Sequence, residues 1–217
     1  MKLTKASDLL WAHIKGQISP DFLALIDQST EELMRSGITA RSLRVSNQAP
    51  NFTLSGARTA PVELQALLSR GSVILSFFQG NWCPFCRLEL VEWQEALPAI
   101  RSLGASFIAI SPQAPIHARA VVQQHDLSYP VLSDRGNQVA RQFGLVYRVP
   151  DYLHPVFEAM GHPLPHFNGD YSWELPLTGT FVIDRQGTIL YAFVSEDFTK
   201  RAEPTDVITV LQRLVVK

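Results

Sequence analysis

The sequence predicts an α/β fold, a mixed central sheet flanked by helices, with a helical extension ahead of it. Three observations carry this expectation. Val73-Ile74-Leu75-Ser76-Phe77-Phe78 is an apolar run, unbroken enough to sit centrally in a sheet. Further apolar runs alternate with helix-periodic segments downstream, which implies a mostly parallel sheet. Late in the chain, Thr180–Asp184 and Thr188–Val194 flank Arg185-Gln186-Gly187 and read as a hairpin with its last strand antiparallel.

The elements follow in order. Leu9, Leu10, His13 and Ile14 form one helical set. Ser19-Pro20-Asp21 starts a second helix to about Arg35, carrying Phe22, Leu25, Ile26 and Leu33, with Gly37 as its stop. A short strand is expected at 49–54. After the 72–78 strand a helix presents Leu90, Trp93, Leu97 and Ile100 and ends at Gly104, with Pro98 expected to kink or shorten it. A strand at 105–110, a helix at 115–125, a strand at 129–132 and a short helix at 138–143 come next. Residues 150–175 read as irregular. A helix over 203–215, apolar at Val207, Val210, Leu211 and Leu214, closes the chain. The division is an N-terminal helical extension, 1–45, and one α/β domain, 46–217.

Both cysteines of the 217 residues lie in Gly80-Asn81-Trp82-Cys83-Pro84-Phe85-Cys86, directly after the apolar strand. So small a ring removes little chain entropy, so the disulfide contributes little stability and is better suited to being made and broken. Pro84 suits the first helical position, where its missing N–H has no partner. Cys83 is then the N-cap, able as a thiolate to accept the N–H groups of Phe85 and Cys86 at the positive end of the helix dipole. Both effects lower a thiol pKa. Arg87, four residues on, either assists from the same face or is an ordinary solvated charge. A zinc site needs two further ligands, and the spacings of His154, His162 and His166 match no zinc pattern. No metal and no cofactor are expected.

Composition excludes other classes. With 46% hydrophobic and 18% charged residues and a net charge of −1, there is no basic stripe for nucleic acid and no polybasic face for a membrane. The first residues are polar and no apolar stretch reaches the roughly 20 residues of a membrane span. Without an export signal or a disulfide framework, a reducing cytoplasm is the expected compartment.

Strand–helix alternation with a Trp-Cys-x-x-Cys at the first central strand-to-helix turn describes a thioredoxin fold, whose strand carboxyl ends are where such sheets react. Ala49-Pro50-Asn51-Phe52-Thr53-Leu54, Ile108-Ala109-Ile110-Ser111-Pro112-Gln113, Val131-Leu132-Ser133-Asp134, Gly179–Asp184 and the ending Asp197–Pro204 sharpen this. Over about 40–215 the chain resembles the alkyl hydroperoxide reductase/thiol-specific antioxidant family, and within it a peroxiredoxin-like group bearing Trp-Cys-Pro-x-Cys. The resemblance implies a thiol-dependent antioxidant enzyme. It departs from peroxiredoxins proper, whose peroxidatic motif is Pro-x-x-x-Thr-x-x-Cys. The motif's cysteine falls on Cys86, its Thr on Cys83, its Pro on Gln79, and the family's catalytic Arg near Thr178. Thr178 also takes the place of the cis-proline of thioredoxins, with Pro176 two residues earlier.

Two mechanisms follow. As a peroxidase, Cys86 attacks a hydroperoxide and becomes a sulfenic acid, and Cys83 condenses with it to a disulfide. As a protein disulfide reductase, Cys83 attacks first and Cys86 resolves the mixed disulfide. Peroxide reduction is slightly favoured. An external thiol such as thioredoxin, glutaredoxin or glutathione is the expected reductant in the peroxidase cycle. A third possibility is a redox sensor whose disulfide switches a partner without turnover.

The remaining residues carry plainer expectations. Trp82 shields the thiols or is simply core. The 150–173 segment is either an idle insertion or a lid bringing Tyr152, His154, His166, Tyr171 and Trp173 toward the cysteines. His162 and His166 are candidate proton donors to a leaving alkoxide. Asp184 sets the hairpin turn. The N-terminal helices, with Leu9, Trp11 and Phe22, either cover the sheet or form a dimer face. Dimers are common in the family, so a homodimer is expected.

Overall fold

A computed structural model describes residues 2–57 and 60–215; the end of the expected α/β domain, residues 216 and 217, lies outside them. The chain opens with α1 (Leu3–Lys15), α2 (Pro20–Arg35) and α3 (Ile38–Arg41), then β1 (Thr53–Gly56), β2 (Val62–Glu63) and α4 (Leu64–Leu68). The central unit follows: β3 (Val73–Phe77), α5 (Pro84–Ser102), β4 (Ser106–Ser111), α6 (Pro115–Gln124), β5 (Val131–Ser133) and α7 (Gln138–Gln142). An inserted layer comprises β6 (Val146–Arg148), α8 (His154–Ala159), α9 (Leu164–Asn168) and β7 (Glu174–Pro176). The chain ends with β8 (Thr178–Ile183), β9 (Ile189–Ser195) and α10 (Pro204–Val215).

Seven strands form one sheet in the order β2-β1-β5-β4-β3-β8-β9. Only β3–β4 and β4–β5 are parallel; the other four pairings are antiparallel. The expectation of a mostly parallel sheet is therefore corrected. The hairpin inserts β8 antiparallel beside β3, and β1 folds back onto β5, so only the central crossover strands run together.

β3 is buried along its whole length, with its side chains dividing between two cores. Ile74 joins Trp93, Phe107 and Val182 on the α5 side. Val73, Leu75 and Phe77 join Ile108, Phe143 and Phe181 on the other. Ser76 stands on the α5 face, where only a hydrogen-bonded hydroxyl is tolerated.

The first two helices match expectation closely. Ser19 caps α2 by accepting from the Phe22 N–H, and Gly37 follows the helix with φ +65. In α1, however, Leu9 is exposed, whereas Leu3, Ala6 and Ser7 face inward. Other boundaries shift for local reasons. The strand expected at 49–54 forms only from Thr53, since Pro50 cannot donate to a ladder. Pro98 does not shorten α5, which runs 19 residues to Ser102; its ring lies on the exposed face, where solvent can serve the carbonyl it leaves unbonded. Asp184 does set the hairpin turn, accepting from the N–H groups of Gln186 and Thr188. No helix among the described residues is long and apolar enough to cross a membrane.

Candidate active site

The site lies where β3 ends. After Phe78 the chain turns through Gly80-Asn81-Trp82, held by Asn81 N–H donating to Gln113 Oε1 at 3.0 Å and Cys83 N–H donating to the Gly80 carbonyl at 3.2 Å. Gly80 is required sterically, since a Cβ there would stand 2.4 Å from the Trp82 indole nitrogen. Cys83 is the N-cap of α5, in extended conformation, with Pro84 at the first helical position as expected. Both thiols are free; Cys83 is 3% exposed and Cys86 fully buried.

The two thiols are shifted in opposite directions. Cys83 makes no capping hydrogen bond. Burial, then its hydrogen bond to Cys86 and the charge there, push the Cys83 thiol well above its ordinary value. Burial opposes ionisation of Cys86 too, but the Cys83 hydrogen bond, the Arg201 guanidinium and the Gln79 backbone outweigh it and bring Cys86 to about 6. The Cys83 thiol is thus pushed up and the Cys86 thiol down, the direction that suits the reading in which Cys86 attacks first.

Arg201 is the charged group that lowers Cys86, second to the Cys83 hydrogen bond, and sequence reading did not single it out. Its Nη2 lies 3.5 Å from Cys86 Sγ and its Nε is 2.6 Å from Glu89 Oε2, with both charged side chains nearly fully buried. Nη1 donates to the Phe198 and Lys200 carbonyls, so the guanidinium is fixed in place. Glu89 is held in turn by the Ser76 hydroxyl at 2.9 Å and the Trp93 indole N–H at 3.2 Å. A buried carboxylate is tolerated only with partners of this kind. Its push on Cys86 is unfavourable, but the adjacent arginine dominates. Arg87 plays no comparable part. Its Nη1 donates to the Asn81 carbonyl at 3.0 Å, which ties α5 to the turn.

Thr178 opens β8, one residue before Gly179 pairs with Phe77, and so stands at the carboxyl end of β3. It is buried and its hydroxyl has no partner among the described residues. The described peptide bonds include no cis bond. Gln79, in the place of the peroxiredoxin proline, donates its side-chain amide to the Tyr147 hydroxyl at 3.1 Å.

A cleft of about 140 Å³ opens onto Cys83, with Trp82 and Pro84 beside it. The 150–175 segment is not irregular: α8 and α9 each carry a proline at their second residue, Pro155 and Pro165, and the segment walls this cleft. The residues that face it are Leu153, Val156, Phe157, Met160 and His162. Most of those expected there point elsewhere. His154 stacks on Trp173 at 3.6 Å between centroids, His166 packs on His117, Tyr152 bonds Glu32 on α2, and Tyr171 is exposed. Of the two candidate proton donors only His162 lines the cleft, 5.6 Å from the Trp82 ring, with its pKa lowered by burial. The opposite wall is built by α1 and α2. Trp11 packs edge-on against Phe85 and Phe198 at 6.1 and 5.4 Å.

Comparison with known proteins follows this geometry. The model of the AhpC/TSA family matches residues 45–192. The thiol-disulfide oxidoreductase ResA of Bacillus thuringiensis subsp. konkukian is 24% identical over 162 residues, 74% of this chain and 76% of that protein. The putative peroxiredoxin bcp of Haemophilus influenzae is 31% identical over 103 residues, 48% of this chain and 66% of that protein. Among solved structures, the peroxidoxin BcpB of Mycobacterium tuberculosis superposes with a TM-score of 0.63 at 22% identity, covering 79% of this chain and 98% of that one. These structures share the fold alone. Arg201, α1 and α2 all lie outside residues 45–192, which the family model matches.

Proposed function

Because the chain belongs to the AhpC/TSA family, whose chemistry is thiol-dependent reduction, we propose that it reduces hydroperoxides through a Cys83/Cys86 dithiol–disulfide cycle. The observation that carries this reading is the buried Cys86 sulfur beside the fixed Arg201 guanidinium, which favours a thiolate at neutral pH.

In the first step the Cys86 thiolate attacks the terminal oxygen of the hydroperoxide. The O–O bond breaks, sulfur is oxidised to the sulfenic acid, and the leaving alkoxide takes a proton to become the alcohol. We assign the donation of that proton to His162, which lines the cleft. Arg201 faces the sulfur throughout, so charge leaving it is compensated locally. In the second step Cys83 Sγ attacks the Cys86 sulfur, the S–O bond breaks and water leaves. An external thiol, of the thioredoxin, glutaredoxin or glutathione kind, then reduces the disulfide. A reducing cytoplasm supplies such thiols and is proposed as the compartment. A homodimer, expected from the family, belongs to the same proposal and is read by light scattering.

One observation favours a second reading. Cys86 lies behind Cys83, and only Cys83 lines the cleft. A disulfide substrate would therefore meet Cys83 first, as in a thiol-disulfide reductase; the high Cys83 pKa weakens it as a nucleophile at neutral pH.

The test uses the reduced protein. Both cysteines fall in one tryptic peptide, residues 71–87, whose loss of two hydrogens reports the disulfide. One equivalent of hydroperoxide should produce that loss far faster than it oxidises free cysteine, and added thioredoxin or glutathione should reverse it repeatedly. Slow oxidation by peroxide with rapid reduction of a protein disulfide would select the second reading.

A further inference from the structure

The cleft over Cys83 has a composition that the peroxidase chemistry does not require. A thiolate needs only a hydroperoxide oxygen, yet the approach to the thiol pair, which opens at Cys83, is an apolar chamber. Trp11 and Ile14 of α1 and Ile26 and Leu33 of α2 form one wall; Val156 and Phe157 of α8 face them. The α1 and α2 side precedes residue 45, where the family match begins. The wall is tied across the opening, since Tyr152 donates to Glu32 Oε2 on α2 at 2.7 Å.

Charge narrows the choice of ligand. Among the described residues no lysine or arginine lines the cleft, and its one carboxylate, Glu196, accepts from Thr39 at 2.6 Å. An anionic ligand would enter without a counter-charge, which is costly in an apolar site. Size narrows it further. A cavity of about 150 Å³ suffices for a benzene ring, and this one measures about 140 Å³. Hydrogen peroxide would leave such a chamber largely unused.

Resting on the peroxidase reading, we propose that α1 and α2 make the site selective for uncharged hydroperoxides carrying one aryl ring or a compact branched alkyl group. The apolar body sits between α2 and α8, with the O–O end at the thiol pair.

Cumene hydroperoxide is the probe, compared with hydrogen peroxide and with a cumene hydroperoxide bearing a ring carboxylate. The second-order rate constant for disulfide formation should favour cumene hydroperoxide over each of the others by at least roughly tenfold, about the effect of two buried methylenes. Ile26→Trp fills the chamber from its α2 wall and should cut the cumene-to-hydrogen-peroxide ratio at least roughly tenfold. Ser29→Trp, at a half-buried lining position, should do the same and covers the case in which the first variant folds poorly. Calorimetric binding of the unreactive product, 2-phenyl-2-propanol, to the wild type and its loss in either variant provides a readout independent of turnover. Fast oxidation by hydrogen peroxide with a flat ratio, or a ratio unmoved by both variants, overturns this proposal and leaves the peroxidase reading standing. If no hydroperoxide outpaces free cysteine, both fall, whether or not the alcohol binds.

Discussion

Removing Arg201 should raise the Cys86 pKa by about three units, and removing the charge of Glu89 should lower it. The Arg201 guanidinium is 3.5 Å from Cys86 Sγ. At an effective dielectric of about 20, unit charges at that separation interact by about 5 kcal/mol, or roughly 3.5 pKa units. In Arg201→Met the midpoint should then move from about 6 to roughly 9. Glu89→Gln keeps Arg201 and can retain the bonds to Ser76 and Trp93, so its midpoint should fall below that of the wild type. The assay is the pH dependence of Cys86 alkylation by iodoacetamide, read on the 71–87 peptide. Reactivity follows the thiolate, so it rises with pH through the midpoint and levels off above it. The midpoint is the observable, because at pH 7 the loss of thiolate is partly offset by the greater nucleophilicity of a more basic sulfur. Breaking a buried ion pair costs about 3–5 kcal/mol, which a stable domain can survive. The Glu89→Gln arm, with its opposite sign, guards against reading instability as electrostatics. A midpoint that stays near 6 in Arg201→Met would refute the argument.

Three further outcomes follow from the same geometry. Stabilising the thiolate stabilises the reduced protein, so at pH 7 Arg201→Met should have a reduction potential about 30 mV more negative, measured against glutathione; an unchanged or higher potential contradicts this. Thr178→Val removes a buried hydroxyl that has no partner and should leave stability unchanged or raise it by about 1 kcal/mol in a denaturant melt. A clear loss would give the hydroxyl a role that its surroundings do not explain. Gly80→Ala forces a Cβ into the Trp82 indole and should lower the melting temperature and shift the tryptophan emission; a silent substitution would refute the steric account of the turn.

What the sequence made legible was local. The strand, the Gly80 turn, the N-cap and Pro84 are contiguous, so period, punctuation and capping chemistry sufficed to place both cysteines. Glu89 was legible in principle and missed. It shares the apolar face of α5 with Phe85 and Trp93 at i,i+4 spacing, and a carboxylate on a buried stripe signals a buried partner. Arg201 gave no such signal. It lies 115 residues beyond Cys86 and meets it only because the β8–β9 hairpin returns the chain to the edge of α5. With Arg201 invisible, the helix dipole was the electrostatic signal at hand, and it acts on both sulfurs without separating them. The helices of the 154–168 insertion are five and six residues long, too short to show a period. The side chains that face the cleft therefore could not be separated from those that stack on one another.

The most direct test is to pulse reduced Cys83→Ser protein with one equivalent of hydroperoxide and trap sulfenic acid with dimedone at short times. Cys86 should be labelled far faster than a free thiol, and the Cys86→Ser protein should show no comparable labelling at Cys83. Faster oxidation of Cys83 than of Cys86, or labelling of neither above the free-thiol rate, would contradict the central claim that the Arg201-held Cys86 thiolate is the attacking group.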